Sequence, residues 1–141
     1  MLIAVDFDGT IVSHEYPKIG KEIPFAFATL KKLQENPDNL LILWTVREGA
    51  ELEEAVEYCR SKGLEFYAVN NNYLEESPED GQPRKLKVDL FIDDRNLGGL
   101  PDWGVIYRMI TTGKHLEPIS FEIEPEYKLP KKSFIKSILG K

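Results

Sequence analysis

Cysteine is almost missing from this chain. Cys59 stands alone among 141 residues, so no intrachain disulfide can form and no cluster of thiolates can hold a metal. Histidine is nearly as scarce, with only His14 and His115. No apolar run approaches the roughly 20 residues that cross a bilayer, and the short apolar stretch at the N-terminus has no basic flank of the kind a signal peptide carries. The expectation is a cytoplasmic protein with no membrane association. Basic residues are outnumbered, 18 against 24 acidic ones, which gives a formal net charge of −6 and a sequence pI near 5.0. A field of that sign repels a long nucleic-acid backbone and leaves a local basic patch as the one route to such a partner. Internal repeats and low-complexity segments are absent as well.

What remains is the composition of one ordinary globular domain, 42% hydrophobic and 30% charged. The informative stretch is the first ten residues. Leu2 to Val5 is a short apolar run rich in β-favouring side chains, and Asp6, Phe7, Asp8, Gly9 and Thr10 follow at once. This reads as a buried strand ending in a reactive turn, with Gly9 allowing the bend. Alternate residues of a strand share a face, so Asp6 and Asp8 start on one side. Two carboxylates about 4 Å apart repel by ~4 kcal/mol at the intermediate dielectric of such a site. A metal cation, a proton-transfer role, or both is implied.

The rest of the chain alternates strands with helices. Residues 11 to 22 read as a loop over the active edge, and His14 within it reads as surface. Pro24 is placed for the first turn of a helix that buries Phe27, Leu30 and Leu33 and stops at Asn36-Pro37. Leu40 to Trp44 has the unbroken apolar character of a strand covered on both faces and ends at Thr45. A helix is expected over Glu51 to Lys62 with Gly63 as its stop, then a strand over Leu64 to Val69. Asn70 to Arg84 reads as a long polar loop. A fourth strand, Val88 to Ile92, closes on Asp93-Asp94, and a last helix spans Pro101 to Ile110. Trp44 and Trp103 read as core, and His115 has no visible partner. From Glu117 the tail suggests an edge strand through Ile119, Phe121 and Ile123. A basic amphipathic helix follows, carrying Phe134, Ile135, Ile138 and Leu139; it either packs back on the domain or meets a membrane surface or a partner. The order argues for a three-layer, Rossmann-like α/β domain with a mostly parallel sheet over residues 1–141, the chemistry confined to residues 1–96 and an extension over about 114–141. In such sheets reactive groups gather beyond the carboxyl ends of the strands, where Asp6, Asp8, Thr45, Asp93 and Asp94 all fall.

In their order these pieces resemble the motifs of the haloacid dehalogenase superfamily. Asp6-Phe-Asp8-Gly9-Thr10 after a strand is similar to its first motif, Leu-Leu-Ile-Leu-Trp-Thr45 to its second, Lys85 to the lysine of its third, and Leu90-Phe-Ile-Asp93-Asp94 to its fourth. The resemblance covers Met1 to about Asn96 and implies a Mg²⁺-dependent phosphatase. By it, Asp6 is the nucleophile that carries an aspartyl-phosphate, Asp8 is the acid and base, and Thr45 and Lys85 hold the transferring phosphoryl group. Gly9, Thr10 and Arg47 would contact substrate. Mg²⁺ would lie between Asp6, the Asp8 carbonyl and Asp93, with Asp94 supporting that shell from behind. Asp8 favours phosphatase over dehalogenase or ATPase chemistry, because those relatives lack an acid there. The segments where cap domains insert are short, so no large cap is expected.

Several alternatives stay open at this level. Thr45 could bond its own backbone, and Arg47 could be a solvated arginine instead of a clamp on a substrate phosphate or carboxylate. Lys87 competes with Lys85 for the phosphate-facing position. A strand over Val88 to Ile92 climbs ~17 Å, which strands Lys87 at the far end and favours Lys85. Substrate is the least legible feature. Asp93-Asp94-Arg95 and Thr45-Val-Arg47 are similar to strings in nucleotidases and polynucleotide 3′-phosphatases, and also to small capless bacterial and phage proteins. A small phosphorylated substrate is expected. An open site would take a large molecule or a small one enclosed by a second copy of the chain in a homo-oligomer. The competing class is a binding or regulatory module that keeps the fold and turns over little.

Overall fold

The computed structural model describes residues 1–77 and 85–118. Four strands, β1 (Leu2–Val5), β2 (Leu40–Leu43), β3 (Ala68–Val69) and β4 (Leu90–Ile92), form one sheet in the order β3-β2-β1-β4, with every pairing parallel. Three helices accompany them: α1 (Ala26–Gln34), α2 (Gly49–Ser61) and α3 (Trp103–Thr111). The expected parallel α/β domain is therefore present. The tail expectations, from Ile119 to Leu139, and most of the loop expectation beyond Ser77 lie outside the described residues. No helix among the described residues is long and apolar enough to cross a membrane.

Strand alternation divides the core. Ile3, Val5, Leu41, Leu43 and Ile92 point to one face, where they meet Phe27, Leu30 and Leu33 of α1, Ala55 and Cys59 of α2, and Trp103, Ile106 and Ile110 of α3. Ala4, Ile42 and Ala68 point to the other face and pack with Leu86 and the half-buried Val88 and Phe91. All three helices thus cover one face. Among the described residues, the opposite layer is the chain that returns from β3 to β4. The geometry follows from handedness: β1-α1-β2 and β2-α2-β3 step in one direction and put both helices on the same side. The return step from β3 across to β4 must then cross the other. Burial pushes the Cys59 thiol up to about 12, so this lone cysteine behaves as a small core residue.

Element boundaries depart from the sequence expectation for local reasons. α1 begins at Ala26, after Pro24, because Phe25 adopts the left-handed backbone (φ 67°). α2 starts at Gly49, earlier than Glu51, and ends as Gly63 predicts: Gly63 has φ 80°, its N–H donates to the Arg60 carbonyl, and the Leu64 N–H reaches back to the Cys59 carbonyl. That double bond is the motif a left-handed glycine permits at a helix end. Leu64 is spent on this stop, so β3 is reduced to the two residues that pair with Ile42 and Leu43.

Register positions the site. Val5 lies opposite both Leu43 and Ile92, so the next residues in each strand, Asp6, Trp44 and Asp93, leave the sheet at one level. The Asp6 N–H donates to the Ile92 carbonyl and the Trp44 N–H to the Val5 carbonyl, both at 2.9 Å, which carries the alignment one residue past the strands. Behind this edge Trp103 is fully buried, and its indole Nε1–H donates to the Thr10 carbonyl at 3.1 Å. Trp103→Phe keeps most of the ring packing and leaves that carbonyl without its donor. It is expected to lower unfolding free energy by about 1–3 kcal/mol, read from the urea midpoint at unchanged slope.

Candidate functional site

The turn after β1 builds the site. Gly9 has φ 92°, and its N–H bonds the Val12 carbonyl while Ile11 and Val12 bond back to the Phe7 carbonyl. This folds residues 7 to 12 into a tight coil that tucks Thr10 fully into the protein. There the Thr10 hydroxyl donates to Asp6 Oδ2 at 2.9 Å and accepts from the Asp94 N–H at 3.1 Å. Thr10 therefore ties the end of β1 to the end of β4. The sequence expectation of a substrate contact is corrected for this residue, because no solvent-facing surface remains to it. Gly9 is needed for space as well as conformation. A Cβ there would come within 2.1 Å of His14 Nε2 and 2.5 Å of Asp94 Oδ2.

Three carboxylates converge at the edge. Asp6, Asp93 and Asp94 each offer an oxygen, and these oxygens lie within 4.8 Å of one another. Asp94, expected to stand behind the site, is inside this group, while the carboxylate of Asp8 is not. Burial pushes the Asp6 carboxyl up from an ordinary 3.8 to about 7; the Thr10 hydroxyl and the Phe7 N–H pull it down, and the charges of Asp93 and Asp94 raise it further. Burial also raises Asp94, yet the bond and charge of His14 together with Arg95 outweigh it and hold that carboxyl below the usual range. Oδ1 of Asp94 is buried and has no hydrogen-bond partner among the described residues. Hard oxygen donors at this spacing fit a small divalent cation such as Mg²⁺.

Asp8 points the other way. Both of its oxygens are held by Arg47, Oδ2 by Nε and Oδ1 by Nη2, each at 2.7 Å. The Arg47 side chain is 0% exposed. Nη1 also donates to the Pro17 carbonyl at 3.0 Å and Nη2 to the Lys18 carbonyl at 2.9 Å, and the guanidinium carbon lies 5.1 Å from the Phe7 ring centroid and 5.2 Å from that of Tyr16. The hydrogen bond to Asp8 raises the Arg47 pKa further, against its burial. Arg47 is neither a solvated side chain nor a clamp open to substrate. It is an internal strut between β1, β2 and the loop over the site, and the geometry corrects both sequence alternatives.

A cleft of about 390 Å³ opens above the acids, bordered by Asp6, Asp8, Thr45 and Asp93. Its walls include His14, Tyr16, Trp44, Val46 and Arg95, none of them a site candidate from sequence. Trp44, read as core, is half-buried and faces this space. His14, read as plain surface, bonds Asp94 Oδ2 through Nε2 at 2.9 Å. Thr45 accepts the Arg47 N–H on Oγ1 at 3.1 Å, the local backbone bond the sequence left open, and Asn70 Oδ1 accepts the Thr45 N–H. Lys85 does not line the cleft. Its ammonium stands 5.5 Å from the Phe91 ring centroid on the helix-free face, and the Lys87 N–H is bonded to Asn72. The acids were legible because each ends an apolar run; the wall residues come from loops whose only signal was proximity to those acids.

Two measurements check this electrostatic picture. Arg47→Met leaves a buried carboxylate without its partner and is expected to cost about 3–5 kcal/mol in urea unfolding. Adding Asp8→Asn in the same chain should recover part of that loss. For Asp6 the folded pKa lies above the unfolded one, so the folded state binds the proton more tightly. In chelator-treated protein, the Asp6 contribution to stability should be fully present below about pH 4 and lost as pH rises to about 7, so the difference between wild type and Asp6→Asn in thermal melts should change across that window.

No protein-family model matches the chain, and no curated protein does. Among solved structures, the chain is similar to a conserved protein coded by a locus of Bacteroides thetaiotaomicron. The two are 65% identical, the likeness covers 81% of this chain and 92% of that one, and the TM-score is 0.76. At that identity and coverage, this chain belongs to the family of the conserved Bacteroides thetaiotaomicron protein.

Proposed function

We propose that the chain is a Mg²⁺-dependent phosphomonoesterase of the haloacid dehalogenase type, acting in the cytoplasm on a small phosphorylated substrate. The observation that carries the reading is the convergence of Asp6, Asp93 and Asp94 at the carboxyl edge of a parallel sheet, with Asp6 and Asp93 lining an open cleft. Asp6 and Asp93, with Asp94, would hold the cation. Mg²⁺ bound there supplies the positive charge without which a phosphate dianion cannot approach three carboxylates.

The chain's own groups suit the remaining roles unequally. Asp6 Oδ2 is occupied by the Thr10 hydroxyl, which orients the carboxylate; attack at phosphorus from Asp6 would break the ester P–O bond, release the alcohol and form an aspartyl-phosphate on this side chain, which water then hydrolyses to inorganic phosphate. Thr45 Oγ1 accepts a backbone N–H, so its own hydrogen is free to donate to a phosphoryl oxygen. Lys85 is the lysine for the phosphate in this reading. Its ammonium sits beside Phe91, two residues and ~7 Å of strand below Asp93, and the flexible stem must swing upward to reach the cleft. Asp8 is the least prepared. Each of its oxygens already accepts an Arg47 N–H, so one lone pair on each is spent and only the other is left for proton transfer.

That last contact favours a second reading, a binding or regulatory module of low turnover in which Arg47 keeps Asp8 out of proton transfer. Phosphate release from an aryl phosphate, with Mg²⁺ and with chelator, separates the two. A phosphatase gives Mg²⁺-dependent release that Asp6→Asn abolishes while the melting curve persists, and Lys85→Met lowers it more than Lys87→Met. Mg²⁺ binding with no release at any pH leaves the module. Comparison of mononucleotides, sugar phosphates and 3′-phosphorylated oligonucleotides then identifies the substrate class.

A further inference from the structure

His14 and Asp94 lie 80 positions apart in the chain and bond each other beside the cleft, whose wall His14 helps to form. Asp94 is fixed from three sides. Its N–H donates to the Thr10 hydroxyl, its Oδ2 is bonded to His14 Nε2 at 2.9 Å, and both partners of that bond lie against the bare backbone of Gly9. A carboxylate oxygen accepts, so Nε2 is the ring nitrogen that carries the hydrogen. What this leaves over is Oδ1, buried and without a partner among the described residues. Asp94 is also one of three acids whose oxygens come within 4.8 Å. A buried oxygen with no donor is costly in a folded protein unless something else satisfies it.

We propose that His14 is a positioning residue for the cation: by occupying Oδ2 of Asp94 it presents Oδ1 to a divalent metal held jointly with Asp6 and Asp93. The inference rests on the cation placed in the proposed function. Without His14 the Asp94 carboxyl is free to rotate about its bond to Cβ, and the fixed donor oxygen becomes one of several orientations. Hydrogen-bonded partners of metal-binding carboxylates typically contribute 10–100-fold to affinity. His14 is about half exposed and packs in no core cluster, so its loss touches the cation more than the fold.

The test is Mg²⁺ titration calorimetry on the intact chain, wild type beside His14→Ala and His14→Gln, with melting curves in chelator and phosphate release measured in parallel. Expected are a Mg²⁺ affinity about 10–100-fold weaker in His14→Ala, substantial recovery in His14→Gln, whose amide N–H reaches a position close to that of Nε2, and coincident melting of all three in chelator. Equal affinity in wild type and His14→Ala overturns the proposal, as does a well-folded His14→Gln that binds no better than His14→Ala. A wild type that takes up no Mg²⁺ removes this inference and the cation together. A wild type whose Mg²⁺ affinity depends on His14 yet which releases no phosphate removes the phosphatase reading and leaves the role of His14 standing.

Discussion

A guanidinium sealed from water governs how the acids of this site divide their work. Burying a charge is expensive unless it is paired and its hydrogen bonds are filled. Arg47 meets that condition by taking both oxygens of Asp8 and two carbonyls of the loop at Pro17 and Lys18. One side chain thereby joins the turn after β1, the end of β2 and the wall of the cleft. Removing Asp8 from the acidic group also leaves three carboxylates near one another in place of four, so the Asp8–Arg47 pair sets both the shape of the loop and the charge of the floor.

The three remaining acids are each restrained differently. Asp6 is restrained by Thr10, Asp94 by Thr10 and His14, and Asp93 by its own turn, where Oδ1 accepts the Arg95 N–H at 2.8 Å. Thr10 serves two of them because its hydroxyl donates in one direction and accepts in the other, and Trp103 fixes the same residue from behind. The result is a rigid acidic floor under an open mouth. The cost of that placement is visible in Asp6, whose carboxyl is pushed up to about 7 by burial first and by the charges of Asp93 and Asp94 second.

The sheet and the acidic edge were legible in the sequence because both follow from short-range pattern: an apolar run of strand length, then a carboxylate. Asp6, Asp93 and Asp94 stand where that pattern puts them. Arg47 was not legible in the same way. Nothing in Thr45-Val-Arg47 announces that its partner lies 39 positions earlier, and a buried arginine looks like a solvated one until the partner is known. His14 was missed for the same reason. Thr10 was misjudged because its type suits a phosphate contact, while the coil around Gly9 turns it inward. Boundaries shifted where one residue took an unusual backbone, as Phe25 does before α1, or where a helix stop consumed residues otherwise suited to a strand, as at Leu64.

The aligned ends of β1, β2 and β4 have a consequence for how this molecule comes into being. Every group at the floor is drawn from a different stretch of chain, around residues 6–14, 45–47 and 93–95, and the bonds between them close loops of 39 and 80 residues. Closing loops that long is entropically costly and is repaid only when the whole sheet has assembled. Acquisition of the site therefore depends on completion of the sheet, and whatever binds the assembled floor and not the unfolded chain shifts the folding equilibrium towards the folded domain.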